Sequence, residues 1–209
     1  MRRITRSISV VLAACAVVGT TALPAAAKTD KQIAKAASLK LADLSGDWTA
    51  SKDADLPSGI AECEAIDDIG ARSDKYEFNS PDFFATEAFL SNSVYVFPTV
   101  KQAKAYLAVF QDPAAGDCLQ ASLEDVVADS PGSVVDTGAL DVSGGPADDG
   151  VGYQVDVALS NGDTFVLEAG AFRVGRGVTG ITAQNPGGAL PETADYVTLT
   201  IKRLRKGLK

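Results

Sequence analysis

Arg173 and Arg176 are the only basic residues between Lys104 and Lys202, in a chain with 19 basic residues, 27 acidic residues and no histidine. An arginine in that setting can grip a carboxylate or phosphate through a two-pronged contact. It can also close an internal ion pair with a neighbour such as Glu168 or Asp156, and this is the simpler reading. Tyr153 and Phe165 lie nearby in the sequence. With the two arginines they make a candidate ligand-binding set, Tyr153, Phe165, Arg173 and Arg176, although alternating aromatics serve a core more often than a ligand. The lack of histidine removes the commonest general base, the usual catalytic triad and histidine metal sites. Acidic residues gather at Asp53/Asp55, Glu62/Glu64/Asp67/Asp68 and Asp148/Asp149. Paired carboxylates can hold calcium or flank a glycosidic bond. None of these groups keeps the D-x-D-x-D-G spacing of a calcium loop, and a solvated acidic face accounts for them. No catalytic residue, metal site or cofactor is therefore expected. Gly175-Arg176-Gly177-Val178-Thr179-Gly180 matches G-x-G-x-x-G by letter. That motif must end a strand and open a helix, whereas β-prone residues lie on both sides here. The expectation is a turn between antiparallel strands.

The elements that must carry these residues centre on Val151 to Gly175. Tyr153, Val155, Val157 and Leu159 alternate with Gln154, Asp156 and Ala158, and Phe165, Leu167 and Ala169 share one parity. Two half-buried strands result. A two-residue Asn-Gly turn would pair Val155 with Glu168 and bury the carboxylate. A three-residue loop, Ser160-Asn161-Gly162, pairs Val157 with Phe165 and Val155 with Leu167, and puts Gly162 at the left-handed position. The three-residue loop is expected. Upstream, Ile33, Ala37, Leu41 and Leu44 predict a helix over Asp30 to Asp43, with Trp48 as a core anchor. A loop over Ser51 to Gly59 and a helical turn over Ile60 to Ile69 follow. Strands are expected at Asp74 to Asn79 and Phe84 to Phe97. Thr99 and Gln102 then open a helix to Phe110 at capping-box spacing, with Val100, Ala103, Leu107 and Phe110 as its stripe. A second helix over Cys118 to Ala128, a strand over Ser133 to Val142 and a strand over Val178 to Ala183 complete the middle. Pro191 opens a final helix with Val197, Ile201, Leu204 and Leu208 inward. Short connections favour antiparallel neighbours. The fold class expected is α+β, a single antiparallel sheet with helices packed on it and one disulfide.

Residues 1–27 read as an export signal: Arg2, Arg3 and Arg6, an apolar run from Ile8 to Leu23, and an A-x-A site ending at Ala27. Leu12-Ala13-Ala14-Cys15 also fits a lipobox, with Cys15 lipidated, but the apolar run continues past it, and cleavage after Ala27 is the favoured reading. The leader holds three of the 19 basic residues and none of the 27 acidic ones, so residues 28–209 carry a net charge of −11. That balance disfavours nucleic acid and anionic surfaces. Two cysteines remain, Cys63 and Cys118. Outside the cell an even pair reads as a disulfide, which would close a loop of about 56 residues and contribute about 4 kcal/mol on the chain-entropy model.

The order of these features resembles a known family. Cys63 follows a Pro57–Gly59 loop. Val94-Tyr95-Val96-Phe97 leads into the Thr99–Phe110 helix, Cys118 follows, and Arg176-Gly177 precedes a final helix. This is similar to the extracellular sensor domains of PknH-like actinobacterial kinases and to LpqN-type lipoproteins. Those domains typically hold two disulfides, where this chain can form one, and they often place Trp before the cysteine, where Ala115-Gly116-Asp117 stands here. The resemblance implies an antiparallel sheet flanked by helices, with a cleft for an unknown ligand, and it transfers no catalytic residue. The function expected is a secreted, non-enzymatic binding or sensing module for an extracellular small molecule or cell-envelope component. The membrane enters only through Cys15, as a lipid anchor on the outer face of the cytoplasmic membrane. A protein-interaction or inhibitor domain and a carboxylate-based hydrolase are the alternatives.

Overall fold

The computed structural model describes residues 28–51, 75–86, 88–114, 117, 132–139, 146–159 and 162–209, with 132–139 and 159 described through their backbone. The leader, Cys15, Cys63, Cys118, the helical turn over 60–69, the helix expected over 118–128 and the acidic residues 53–68 lie outside the described residues.

Helix α1 (Asp30–Ala37) begins at a capping box. Gln32 N donates to the Thr29 hydroxyl, and Thr29 N donates to Gln32 Oε1 at 2.9 Å. Two orphan donors of the first turn are thereby paired. Ile33, Ala34 and Ala37 face inward. The helix ends at Ser38, short of the Asp43 expected, and Leu41–Asp43 form a separate 3-10 turn. The reason is local: the Asp43 carboxylate accepts Lys40 N at 2.9 Å, a side-chain bond that competes with helix continuation. Leu41, assigned inward by its spacing, is exposed. Trp48 packs half-buried at the core edge, its indole N–H on Ser45 O.

Strands β1 (Thr49–Ser51), β2 (Tyr76–Asn79), β3 (Asp82–Ala85), β4 (Ala88–Val96), β5 (Gly132–Ala139), β6 (Asp149–Leu159), β7 (Thr164–Val174) and β8 (Gly177–Pro186) make one sheet among the described residues. Its order is β1-β3-β4-β8-β7-β6-β5, with β2 beside the C-terminal half of β4, and every pairing is antiparallel. The single strand expected over Phe84 to Phe97 is instead a hairpin: Ala85 pairs with Ala88, and Thr86 has φ +48°. A β-branched residue at positive φ carries no turn signature, so the alternation reads straight through it.

In the β6–β7 hairpin Val157 faces Phe165 and Val155 faces Leu167, the register expected, and Gly162 has φ +91°. The premise that this register spares Glu168 from burial was wrong, because both faces of the sheet are covered. Glu168 is 4% exposed. Its carboxylate accepts Leu190 N at 3.1 Å and the Thr193 hydroxyl at 2.8 Å, which pins the entry to helix α3 (Thr193–Gly207). Pro191, expected as the first helical residue, lies just before the cap at Glu192. The β-prone run from Tyr196 to Ile201 is helical because Tyr196, Val197, Thr200, Ile201 and Leu204 are buried together, a tertiary override of local preference. Strand β8 passes directly beneath: a Cβ on Gly177 would lie 2.8 Å from Leu204 side-chain atoms.

Helices α1 and α3 cover one face. Leu90, Val94, Val96, Phe172, Ile181 and Ala183 of the sheet pack there against Ile33, Ala37, Val197, Ile201 and Leu204. Helix α2 (Val100–Phe110) covers part of the other face, with Phe97, Ala103, Tyr106, Leu107, Ala171 and Val178 in contact. Thr99 caps it as expected, its hydroxyl accepting Gln102 N. Its inward stripe is rotated from the one predicted: Val100 is exposed and Tyr106 takes the buried place.

Three polar fasteners hold the N-terminal segment to this frame. Asn92 Oδ1 accepts Leu39 N at 3.0 Å, while its Nδ2 donates to the Thr179 hydroxyl and to Gly180 O. Arg176 forms a two-pronged pair with Asp30 at 2.9 and 2.6 Å and also donates to Phe97 O. Arg203 does the same with Asp43, at 2.6 Å for both contacts, and reaches Ser38 O.

Asn92→Ala leaves the buried Leu39 N–H without its acceptor and is expected to lower unfolding stability by about 2–3 kcal/mol. Urea denaturation checks this, and a change under about 0.5 kcal/mol would contradict the role given to Asn92. Hydrogen bonding from Arg203 holds the Asp43 carboxyl below its ordinary value, and Arg176 does the same for Asp30. A carboxylate depressed in the folded state contributes stability that is complete above the unfolded value, at about pH 4, and is lost as pH falls through the folded value. Asp43→Asn is therefore expected to be less stable at neutral pH and to lose less than the parent below about pH 4. Parallel stability curves for the two proteins would contradict it.

Candidate ligand-binding site

Between α2 and the sheet face it partly covers lies a groove of about 300 Å³, lined by Ser91, Ser93, Tyr95, Tyr106, Phe110, Val151, Tyr153, Ala169, Gly170, Ala171, Gly180, Ile181 and Thr182. The pairing scheme explains its position. Ser91 faces Thr182, which faces Ala169, which faces Tyr153; one step along, Ser93 faces Gly180, then Ala171, then Val151. Directly paired residues share a sheet face. Two consecutive cross-strand rows therefore present small side chains in the middle of the sheet, and the helix above cannot close onto them.

The wall is aromatic. Tyr106 stands at ring-centroid distances of 5.1 Å from Tyr95, 5.1 Å from Phe97 and 5.2 Å from Phe110, within the favourable range for tilted rings. The Lys75 ammonium sits 5.0 Å from the centroids of both Tyr95 and Tyr106. At the other end the Tyr153 hydroxyl donates to Phe110 O, the last residue of α2, and Gln111 Nε2 donates to Asp149 Oδ1 at 3.2 Å. These contacts tie the helix end to β6. Burial raises the Tyr95, Tyr106 and Tyr153 hydroxyls above the ordinary phenol value, most of all Tyr106. All three stay protonated at neutral pH.

Of the four residues singled out in the sequence, Tyr153 lines this groove. Phe165 lies on the same sheet face, paired with Val157 and Pro186, and is not among the lining residues. Arg173 is 6% exposed; Nη1 lies 3.5 Å from Asp148 Oδ2 and donates to Gly175 O at 3.1 Å. Asp148 also accepts Gly175 N and Arg205 Nη2, so this member of the acidic clusters joins β7 to α3 rather than facing solvent alone. Arg176 is taken up by Asp30. The arginines are thus in ion pairs, but with Asp148 and Asp30 in place of the Glu168 or Asp156 expected. Gly175-Arg176 forms the β7–β8 turn, with Val174 facing Gly177, so the G-x-G-x-x-G letters mark a hairpin as anticipated. Among the described residues no group of His, Cys, Asp and Glu is placed to hold a metal, and no helix is long and apolar enough to cross a membrane. Tyr95 and Tyr106 were missed as site residues. The signal available was the run of small residues at one parity, Ser91/Ser93, Ala169/Ala171 and Gly180/Thr182.

No protein-family model matches the chain, and no curated protein matches it. Among solved structures it is similar to the extracellular domain of PknH from Mycobacterium tuberculosis, at 13% identity and TM-score 0.48, covering 84% of this chain and 96% of that one. A fainter likeness, TM-score 0.18 at 10% identity, links it to the Saccharomyces cerevisiae Ran-binding protein MOG1P, covering 65% of this chain and 91% of that one. Overlaps at these levels assign no function, which must be argued from the groove itself.

Proposed function

We propose that this chain is a secreted, non-enzymatic binding or sensing module that holds an uncharged, largely apolar small molecule in the groove beside α2. The observation that carries this reading is the lining: aromatic rings and small side chains around about 300 Å³, with no carboxylate, amine or thiol among the described residues that line it. That size and composition suit a small-molecule pocket. Its three phenols are held protonated by burial, so they can exchange hydrogen bonds with a guest but cannot serve as a general base at neutral pH. Holding, rather than reacting, is the chemistry such a lining supports. The extracellular setting rests on the leader over residues 1–27 and on the even cysteine pair, Cys63 with Cys118.

The neutral fluorophore N-phenylnaphthylamine tests the groove. One molecule per chain is expected to bind with a blue shift, and Ala169→Phe, which fills the floor, is expected to abolish the signal while the far-ultraviolet circular dichroism is kept. Unchanged binding by that variant would overturn the assignment. Mass spectrometry of the protein recovered from its native host tests the setting. The expected species begins at Lys28, carries no lipid and is lighter by two hydrogen atoms for a Cys63–Cys118 bond; a lipidated Cys15 at the N-terminus would replace release with anchoring.

A further inference from the structure

We propose, on the footing that the α2 groove is a binding site, that the Ser91–Thr182 pair on its floor is the polar anchor for the guest, and that the guest is an apolar molecule bearing one neutral hydroxyl. Elimination singles out the pair. The side chains with hydroxyls in the lining are Ser91, Ser93, Tyr95, Tyr106, Tyr153 and Thr182. Ser93 donates to Asn79 Oδ1 at 2.7 Å, and Tyr153 donates to Phe110 O. Tyr95 and Tyr106 are hydrogen-bonded to each other, and Tyr95 also to Ser93. Of the set, Ser91 and Thr182 have no side-chain hydrogen bond among the described residues. They stand half-buried and in direct register across β4 and β8. Directly opposed Cβ atoms lie about 5 Å apart, so one oxygen placed between the two hydroxyls can sit about 2.8 Å from both. Each hydroxyl can donate or accept. A guest hydroxyl can therefore accept from one and donate to the other, which leaves none of its own polar capacity unmet. Elsewhere in the groove its proton would meet rings and methyl groups, and an unmade bond there costs affinity. A charged head finds no counter-charge among the described lining residues, and its desolvation would go uncompensated.

Three probes separate this anchor from the groove reading beneath it: naphthylmethanol, its isostere ethylnaphthalene, and the methyl ether of naphthylmethanol, which keeps the oxygen and loses the proton. Each is titrated into the whole protein by ligand-observed NMR. Affinity ratios are taken within each protein, so any change in the groove that touches all three guests alike cancels. Ser91→Ala is expected to lower the alcohol-to-hydrocarbon affinity ratio about fivefold, Thr182→Val to do the same, and the two together about twentyfold. The alcohol-to-ether ratio is expected to fall about fivefold in the double variant. Ratios unmoved in the double variant would overturn the anchor and leave the groove standing. An alcohol-to-ether ratio that holds while the alcohol-to-hydrocarbon ratio falls would overturn the hydroxyl class of the guest. Failure of all three probes to bind the parent protein would overturn the groove as well.

Discussion

Asn92 is 1% exposed in the middle of β4, and it is shared among three parts of the chain, two through its side chain and one through its backbone. Its carbonyl oxygen holds the backbone just after α1, its amide nitrogen holds β8, and its own N–H reaches the Ser80 hydroxyl in the β2–β3 connection. A buried amide tolerates only the arrangement that satisfies each of its polar atoms. The surrounding apolar contacts, among Leu90, Val94, Ile181 and Ala37, would accept small slips of α1 over the sheet. The amide does not, and so it selects one seat for the helix. The two arginine–aspartate clamps act at the ends of the same segment, Asp30 at its start and Asp43 at its finish.

The sheet is covered unequally, and the groove follows from that inequality. On the α1–α3 face, Gly177 leaves room for Leu204 to settle directly over β8. On the α2 face, among the described residues, a helix of 11 residues rests on the row containing Tyr95 and Val178 and is tied at its far end through Phe110 to Tyr153. The small residues between those supports cannot reach it. A void bounded by rigid aromatic rings costs dispersion contacts when empty, and a guest of matching shape restores them.

Much of this was legible from residue order alone. Thr99 with Gln102, the alternation around Val155, and Gly162 each state their structure locally, because a cap, a strand face and a positive φ are decided by a few neighbouring atoms. Thr86 was illegible because a β-branched residue ordinarily avoids the conformation it adopts. Leu41 and Val100 kept helical spacing while facing water, since periodicity marks a possible face and packing chooses the face used. The burial of Glu168 depended on Leu190 and Thr193, more than twenty residues away. Likewise the true partners of Arg173 and Arg176, Asp148 and Asp30, were remote while Glu168 stood near in sequence. For the site, Tyr153 could be named from its strand, whereas Tyr95 and Tyr106 needed the crossing of α2 over β4.

The fastening of α1 also dictates an order of assembly. Asp30 is separated from Arg176 by 146 positions, and Asp43 from Arg203 by 160. Asp30 and Asp43 must wait, unclasped, until the strands and helix that carry Arg176 and Arg203 have been made. Contacts of such long sequence separation slow folding. The seat of α1 is therefore settled only after the sheet and the final helix are in place.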